Sequence, residues 1–593
     1  MKPSASEYDI IFAGGGTTAC VVAGRLATAD SSLRILILEN GRSTKDNPAH
    51  VQPGRFIENI TTRGSEILTL HSSKPGINLD GRAPVASNAN CMGGGSSING
   101  LMYNRAPASD YDDWMQLGNP GWGSADLIPL AKKLETYQAG VVDATHGSSG
   151  PIKVSHGGYD TEVGKDFLAA AAGFPRGRSF TEDLNDFSTC NVYGRLPQFI
   201  DAETGRRSDT AHAYIYNQVH NENLHILNHA RVNRVLFDEE KRAVGVEYQA
   251  DGRDGAMLTA HASRLVVISA GAFCSPAILE RSGIGARDIL EKYAIPVVAE
   301  LPGVGENYQD HHAVFPRYLA PENTVTIATL AQDKDGAFEA QWRQNGKGLL
   351  AATGLGVGIK LRPNEQDLEQ LTPKFAARWE SFFANFPGRP MVTICPLAGD
   401  ILGNSAGIPI YNVIYYAAYP ISAGYVHIRS ADPFTPLEVE SALLDRDEDL
   451  LVMRWAYKWS RELARRMDCY RGETIVGHPQ FPGGSEAKCG AAAGPVELSA
   501  PEIQYTESDN EAIDAFHRAA ACLAWHSLGT CAMRPQEESG VVDPRLNVYG
   551  VRNMKVADLS IAPLNVGANT YHTALLIGEK AAIIIAEELG ISV

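Results

Sequence analysis

The chain has 593 residues, 44% of them hydrophobic and 20% charged, which suits a large packed core and excludes global disorder. Its formal net charge of −17 works against nucleic acid or an anionic lipid surface as partners and reads as a solvated acidic exterior. The nine scattered cysteines form no C-x-x-C pair and no zinc-like spacing, so reduced thiols and no metal centre are expected.

The opening stretch MKPSASEYDIIFAGGG lacks a basic head and an apolar h-region, so no signal peptide is expected. No run of about 18 apolar residues exists, so no membrane span is expected. The expected location is intracellular, cytoplasmic or peroxisomal, although the last residues, Ile591-Ser592-Val593, are not an S-K-L address. The sequon Asn59-Ile60-Thr61 is expected to go unused.

Residues 9–13 form a short apolar run, as a buried parallel strand requires. A glycine turn and a helical stretch over 17–29 follow, and residues 34–38 read as the second strand. Two later runs, 265–269 and 554–557, have the same strand-to-loop character, and 570–589 reads as a long helix with Gly590 just past its end. These pieces predict one doubly wound α/β sheet assembled from the N-terminal, middle and C-terminal thirds. The segment 320–515, with alternating runs such as 425–428, is expected to form a separate α+β layer roofing the first domain.

The turn Gly14-Gly15-Gly16-Thr17-Thr18-Ala19 fits G-x-G-x-x-A between strand and helix. Gly14 permits the tight turn, Gly16 lets backbone N–H groups approach a pyrophosphate, and Ala19 is small enough for helix–strand packing. Glu39 ends the second strand about 20 residues past Ala19, where a carboxylate meets ribose hydroxyls and disfavours a 2′-phosphate. The motif predicts dinucleotide binding and does not separate NAD from FAD.

A second glycine cluster, Cys91-Met92-Gly93-Gly94-Gly95-Ser96-Ser97-Ile98-Asn99, resembles the first signature of the glucose–methanol–choline oxidoreductases. Residues 269–285, through Ser275-Pro276 and Ser282-Gly283-Ile284-Gly285, resemble the second. Leu301-Pro302-Gly303-Val304-Gly305-Glu306-Asn307, Gln309-Asp310-His311, Gly540-Val541-Val542-Asp543-Pro544 and Val556-Ala557-Asp558 are similar to further blocks of that family. Within it, Asn565-Val566-Gly567-Ala568-Asn569-Thr570-Tyr571 looks most like the methanol (alcohol) oxidases. The resemblance implies FAD, a Rossmann-like FAD-binding domain (1–157, 200–318 and 521–593) and an α+β substrate-binding domain (158–199 and 319–520). It also implies FAD contacts from Gly14, Gly16, Thr17, Thr18, Glu39, Gly94, Ser97, Asn99, Gly100, Val232, Ala270, Asp558, Asn569 and Thr570.

Hydride abstraction from an alcohol needs a base for the hydroxyl proton, and histidine is the natural one near neutral pH. His526, in Trp525-His526-Ser527-Leu528-Gly529-Thr530, resembles the family's active-site histidine, and Asn569 stands at its second active-site position. The resemblance implies that His526 accepts the proton, that Asn569 holds the same oxygen, and that hydride moves to flavin N5. Thr570 would aim the N-terminal dipole of the last helix at the flavin. His572 is expected on another face of that helix, and His311 and His312 are expected to be structural or near the cofactor.

Two departures from the family matter. Ile98 stands where some members carry a histidine that attaches FAD, so noncovalent FAD is expected. Gly100 replaces a bulky phenylalanine of methanol oxidases, which predicts a larger pocket, lined also by Met102 and Trp525, and a substrate larger than methanol. The expected reaction converts a primary alcohol and O2 to an aldehyde and hydrogen peroxide. A dehydrogenase passing electrons to a quinone-type acceptor and a non-redox hydroxynitrile-lyase-like enzyme remain alternatives. The chain is compatible with a homo-oligomer.

Overall fold

The computed structural model describes residues 7–61, 66–174, 176–371, 373–401 and 408–593. A seven-stranded sheet runs in the order Ala230–Phe237, Ala243–Ala250, Met257–Ile268, Glu7–Ala13, Ile35–Leu38, Leu224–Leu227, and Met554–Val556 also pairs with Met257–Ile268. Its centre is parallel: Ile10 to Ala13 lie opposite Ile35 to Leu38 on one side and Leu265 to Ile268 on the other. Strands covered on both faces need continuous apolar runs, and IIFA and ILIL supply them.

The strand expected over 265–269 begins earlier, at Met257. Its first half alternates exposed and buried residues because it pairs antiparallel with Ala243–Ala250 beyond the helical cover, and only its second half enters the core. The helix Thr17–Ala29 covers the sheet, and Tyr571–Leu589 crosses it closely. A Cβ on Gly578 would lie 2.7 Å from Val21 Cβ, so the small residue sets that approach. Arg25 and the buried Glu579 tie the two helices at 2.7 Å.

The second layer is an eight-stranded, mostly antiparallel sheet in the order Cys522–Leu523, His312–Val314, Ile410–Ala417, Val392–Leu397, Val357–Leu361, Tyr193–Arg195, Phe180–Thr181, with Arg317–Leu319 also on Ile410–Ala417. Two strands fall outside the expected substrate-domain segments. His312–Val314 and Cys522–Leu523 pair with each other and extend this second sheet from chain assigned to the FAD side. Tyr425–His427, expected in the roof, instead forms a separate two-stranded sheet with Glu438–Glu440. The nine cysteines are free thiols. Asn59 of the sequon is buried and donates to the Ala49 carbonyl at 2.6 Å. Among the described residues no helix is long and apolar enough to cross a membrane.

Candidate active site

One cavity of about 620 Å³ runs between the two sheets, from the glycine turn to the Ile410–Ala417 strand. Gly14, Gly16, Thr17, Thr18, Glu39, Gly94, Asn99, Gly100, Met102, Val232, Ala270, Trp525, His526, Asp558, Asn569 and Thr570 all line it. Ser97 does not. Its hydroxyl turns back to the Met92 carbonyl at 3.0 Å inside the second glycine turn, and Ser96 takes the lining position.

At one end the cavity wall is backbone. Gly14 sits at φ +104°, and a Cβ there would stand 2.5 Å from the Ser269 carbonyl oxygen. A Cβ on Gly95 or Gly271 would meet no atom within 4 Å, so both turn bare backbone toward the cavity. Gly16 caps the Thr17–Ala29 helix with no side-chain acceptor, leaving first-turn N–H groups for an anion. Glu39 accepts from Gly15 N at 2.8 Å and Gly41 N at 2.7 Å, and burial raises its pKa. Asp558 accepts from Gly271 N at 2.8 Å and Ser275 Oγ at 2.6 Å, which fixes the second signature against the sheet. Glycine backbone, a helix N-terminus and a carboxylate at the ribose position are what the pyrophosphate and ribose of FAD require, and these residues fit that group. Arg231 and Arg281 line the Val232 end, and burial, with the Arg231 charge second, lowers Arg281 to about 10.

At the other end the wall is side chains drawn from five separated segments. His311 donates from Nε2 to the Val566 carbonyl at 2.8 Å, because a carbonyl only accepts. Burial lowers His311 to about 4, so it is neutral and its Nδ1 is an acceptor. His526 Nδ1 lies 2.8 Å from that atom and must therefore carry the proton. This leaves Nε2 of His526 as a lone pair, which accepts from Asn569 Nδ2 at 3.1 Å. The Asn569 amide is itself oriented: Tyr416 Oη donates to its Oδ1 at 3.0 Å, and Asn104 Nδ2 does so at 3.1 Å. Burial holds His526 well below the usual histidine range, with its nearness to the His311 ring, which could not share a second positive charge, acting in the same direction, so its base form prevails at neutral pH.

Asp310 pins the backbone beneath this base, accepting from His526 N at 3.0 Å and Ser527 Oγ at 2.9 Å; burial raises it to about 6. Trp525, immediately before the base, holds φ +61°, and Leu101, beside Gly100, holds φ +59°. Left-handed backbone at bulky residues stores strain, and here both instances border the cavity. Trp525 is 41% exposed and stacks on Phe315. Thr570 is the N-cap of the last helix, as expected, and brings that helix N-terminus to the cavity.

His311, expected to be structural or near the cofactor, touches His526 directly. Tyr416 and Asn104 were not anticipated. His572 lies off the cavity, buried among Tyr103 and Phe187, and His312 is buried near Asp449. One three-residue group among the described residues, Glu473, His478 and Cys489, has metal-ligand geometry. Arg461 donates to Glu473 at 2.7 Å and to Cys489 at 3.3 Å, and a guanidinium at that point opposes a metal ion.

A Rossmann-type nucleotide cradle opening onto a half-buried imidazole base, under a second antiparallel sheet, defines a two-domain flavin-dependent oxidoreductase. The GMC oxidoreductase family matches residues 8–313 and 420–578, and the chain belongs to it; it is an FAD-dependent oxidoreductase. An alcohol oxidase of Candida boidinii is 38% identical over 99% of this chain and 96% of its own length. An oxygen-dependent choline dehydrogenase of Cronobacter sakazakii is 31% identical over 97% and 94%. Among solved structures, an FAD-dependent oxidoreductase from Chaetomium thermophilum aligns with a TM-score of 0.82 at 25% identity, covering 99% of this chain and all of that one. A formate oxidase aligns at 0.83 with 22% identity over 99% of each chain, a likeness of fold.

Proposed function

We propose that this enzyme oxidises a primary alcohol larger than methanol to the aldehyde, reducing dioxygen to hydrogen peroxide, with FAD held noncovalently. The observation that carries the reading is the tautomer chain Val566–His311–His526, which leaves an unprotonated Nε2 on a side chain lining the cavity. The alcohol oxidase relatives support it across the whole chain.

FAD held by the glycine cradle and Glu39 would supply the hydride acceptor and the route for electrons to dioxygen. The chain's own residues manage the proton and the orientation. His526 Nε2 receives the hydroxyl proton, and its Nδ1–H, donated to neutral His311, spreads the resulting charge. Nε2 has one lone pair, so the entering hydroxyl takes the place of Asn569 Nδ2 on it, and the Asn569 N–H so released holds the alcohol oxygen. Tyr416 and Asn104 prevent that amide from flipping. The last helix favours negative charge at its cavity end.

Substrate size turns on Gly100. A Cβ there would sit 3.3 Å from Leu355 Cδ1 and 3.4 Å from Phe56 Cε2, so these two side chains already take part of the room an aromatic ring at 100 would claim. The rest of the wall, including Met102, Phe315, Ile401 and Ile414, is apolar, which suits an apolar extension of the substrate. Ile98 also lines the cavity and offers no nucleophile for a covalent flavin bond.

The test is anaerobic titration of the holoenzyme with alcohols from methanol to benzyl alcohol, followed by admission of oxygen. Bleaching that favours the larger alcohols, and peroxide on reoxidation, is the expected result. Equal or better reduction by methanol removes the size assignment, and bleaching that persists in oxygen until a dye acceptor is added makes the enzyme a dehydrogenase. Acid precipitation should release all the flavin.

A further inference from the structure

The short loop from Asn565 to Asn569 serves both halves of the candidate pair. Val566 O receives the His311 proton, and Asn569 faces His526. Between them, Gly567 N donates to Asp110 Oδ2 at 2.7 Å, across 457 positions of sequence. Asp110 belongs to the helix Ala108–Gln116 and is 3% exposed. Tyr419 Oη donates to the same carboxylate at 2.9 Å and 3.0 Å. A Cβ at 567 would meet Tyr419 Oη at 2.2 Å, so only glycine lets the loop close onto this pair.

Every element packed on Asp110 has been drawn into its field. Its own helix supplies Asp113, and the segment before Val392–Leu397 supplies Arg389, whose Nε is 3.8 Å from Asp110 Oδ1 and whose Nη2 is 2.6 Å from Asp113. The end of the Ile410–Ala417 strand supplies Tyr419, and the loop supplies Gly567 N. Both hydrogen-bonding partners donate, so the site is built for the ionised acid.

We infer that Asp110 is a positioning residue: clamped to Gly567 and Tyr419, its carboxylate fixes the loop that aims Asn569 and, through Val566 and His311, sets the tautomer of His526. This rests on the alcohol-oxidation reading. Burial raises Asp110 to about 7. The clamp is therefore ionised above that pH and loosens as pH falls through it, because the uncharged acid accepts less strongly from Gly567 N, and its own proton competes with the Tyr419 hydroxyl for the donor role between them.

The experiment compares the holoenzyme with D110N and Y419F, following the limiting rate of flavin reduction by alcohol from pH 5 to 9 together with the visible circular dichroism of the bound flavin. Wild type should lose rate below a midpoint near 7. Asn keeps one acceptor for Gly567 N but does not titrate, so D110N should be slower by about tenfold with the midpoint near 7 abolished and alcohol affinity little changed. Y419F removes a donor to the anion and should keep the midpoint but move it upward. If D110N does not fold, the upward shift in Y419F carries the test alone. Wild-type midpoints retained in the folded variants, or rate loss without any change in pH profile, overturn the assignment. A wild-type flavin that no alcohol reduces brings down the alcohol reading and the clamp with it; a reducible wild type with unmoved variants brings down the clamp alone.

Discussion

The two ends of the cavity are built by opposite means. The glycine end is made of backbone, with Gly14, Gly16, Gly95 and Gly271 presenting main chain, Glu39 and Asp558 bracing that main chain, and Arg231 and Arg281 adding positive charge at the Val232 side. The histidine end is made of side chains: Tyr416, His526 and Asn569 line it, and Asn104 and His311 hold them from behind. A polyanion is gripped by many equivalent amide dipoles, and local sequence suffices to shape them. Proton transfer needs one lone pair at one place, and that takes a network whose every donor has a single acceptor.

The contrast predicts that damage separates cleanly: substitutions at the histidine end should slow chemistry with FAD retained, and those at the glycine end should release FAD. The largest effect is expected from His526→Ala, which removes the base. Flavin reduction by alcohol, measured anaerobically by stopped flow, should fall by roughly 10²–10⁴-fold at unchanged FAD content. Loss of flavin from this variant would break the contrast. Next comes His311→Ala. With no acceptor for its Nδ1 proton, His526 is free to change tautomer and turn, and the rate should drop up to about 10²-fold. The variant should still bind substrate, so a raised KM with normal reduction would show that His311 merely packs.

A smaller but qualitatively different effect is expected from Gly14→Ala. A Cβ at φ +104° would be strained and would collide with Ser269 O at 2.5 Å. The strained turn should weaken FAD binding by about tenfold or more, with normal reduction per flavin bound. Flavin fluorescence on dilution reads that affinity without reference to turnover.

How much of this was legible in the sequence follows the same division. The glycine turn, Glu39 and the last helix could be read because their chemistry is local: strand, turn, helix and carboxylate occur within one short stretch, and the structure places each at the cavity. His526 and Asn569 entered by family resemblance, and the structure brings them within 3.1 Å. Tyr416 was invisible because the whole Ile410–Ala417 strand is buried, so alternation gives no sign of a polar task. The neighbours Tyr415 and Tyr416 look alike in sequence, yet successive residues face opposite sides of a strand. Tyr415 Oη meets His517 on the helix side, and Tyr416 Oη meets Asn569. Ser97 failed for a related reason, since in Ser96-Ser97 only the turn geometry decides which hydroxyl faces out. His311 stood in a quoted block, Gln309-Asp310-His311, but nothing local says that its ring meets one 215 positions away.

The smallest effect, and the one that probes where the two ends meet, is expected at Gly100. It is glycine in the style of the cofactor end but borders the apolar wall of the histidine end. Gly100→Phe would force a ring toward Phe56 and Leu355, while Gly100→Phe combined with Phe56→Ala would return the space. Discrimination between benzyl alcohol and methanol should fall by about tenfold in the single variant, a size set by the loss of a few apolar contacts. The double variant should regain most of it. Measured as the ratio of kcat/KM values, an unchanged ratio in both would mean that Phe56 and Leu355, rather than the absent ring at 100, set the substrate's size limit. A change in FAD content instead of in the ratio would assign Gly100 to the cofactor end, and the boundary between backbone recognition and side-chain chemistry would lie one residue further toward Met102.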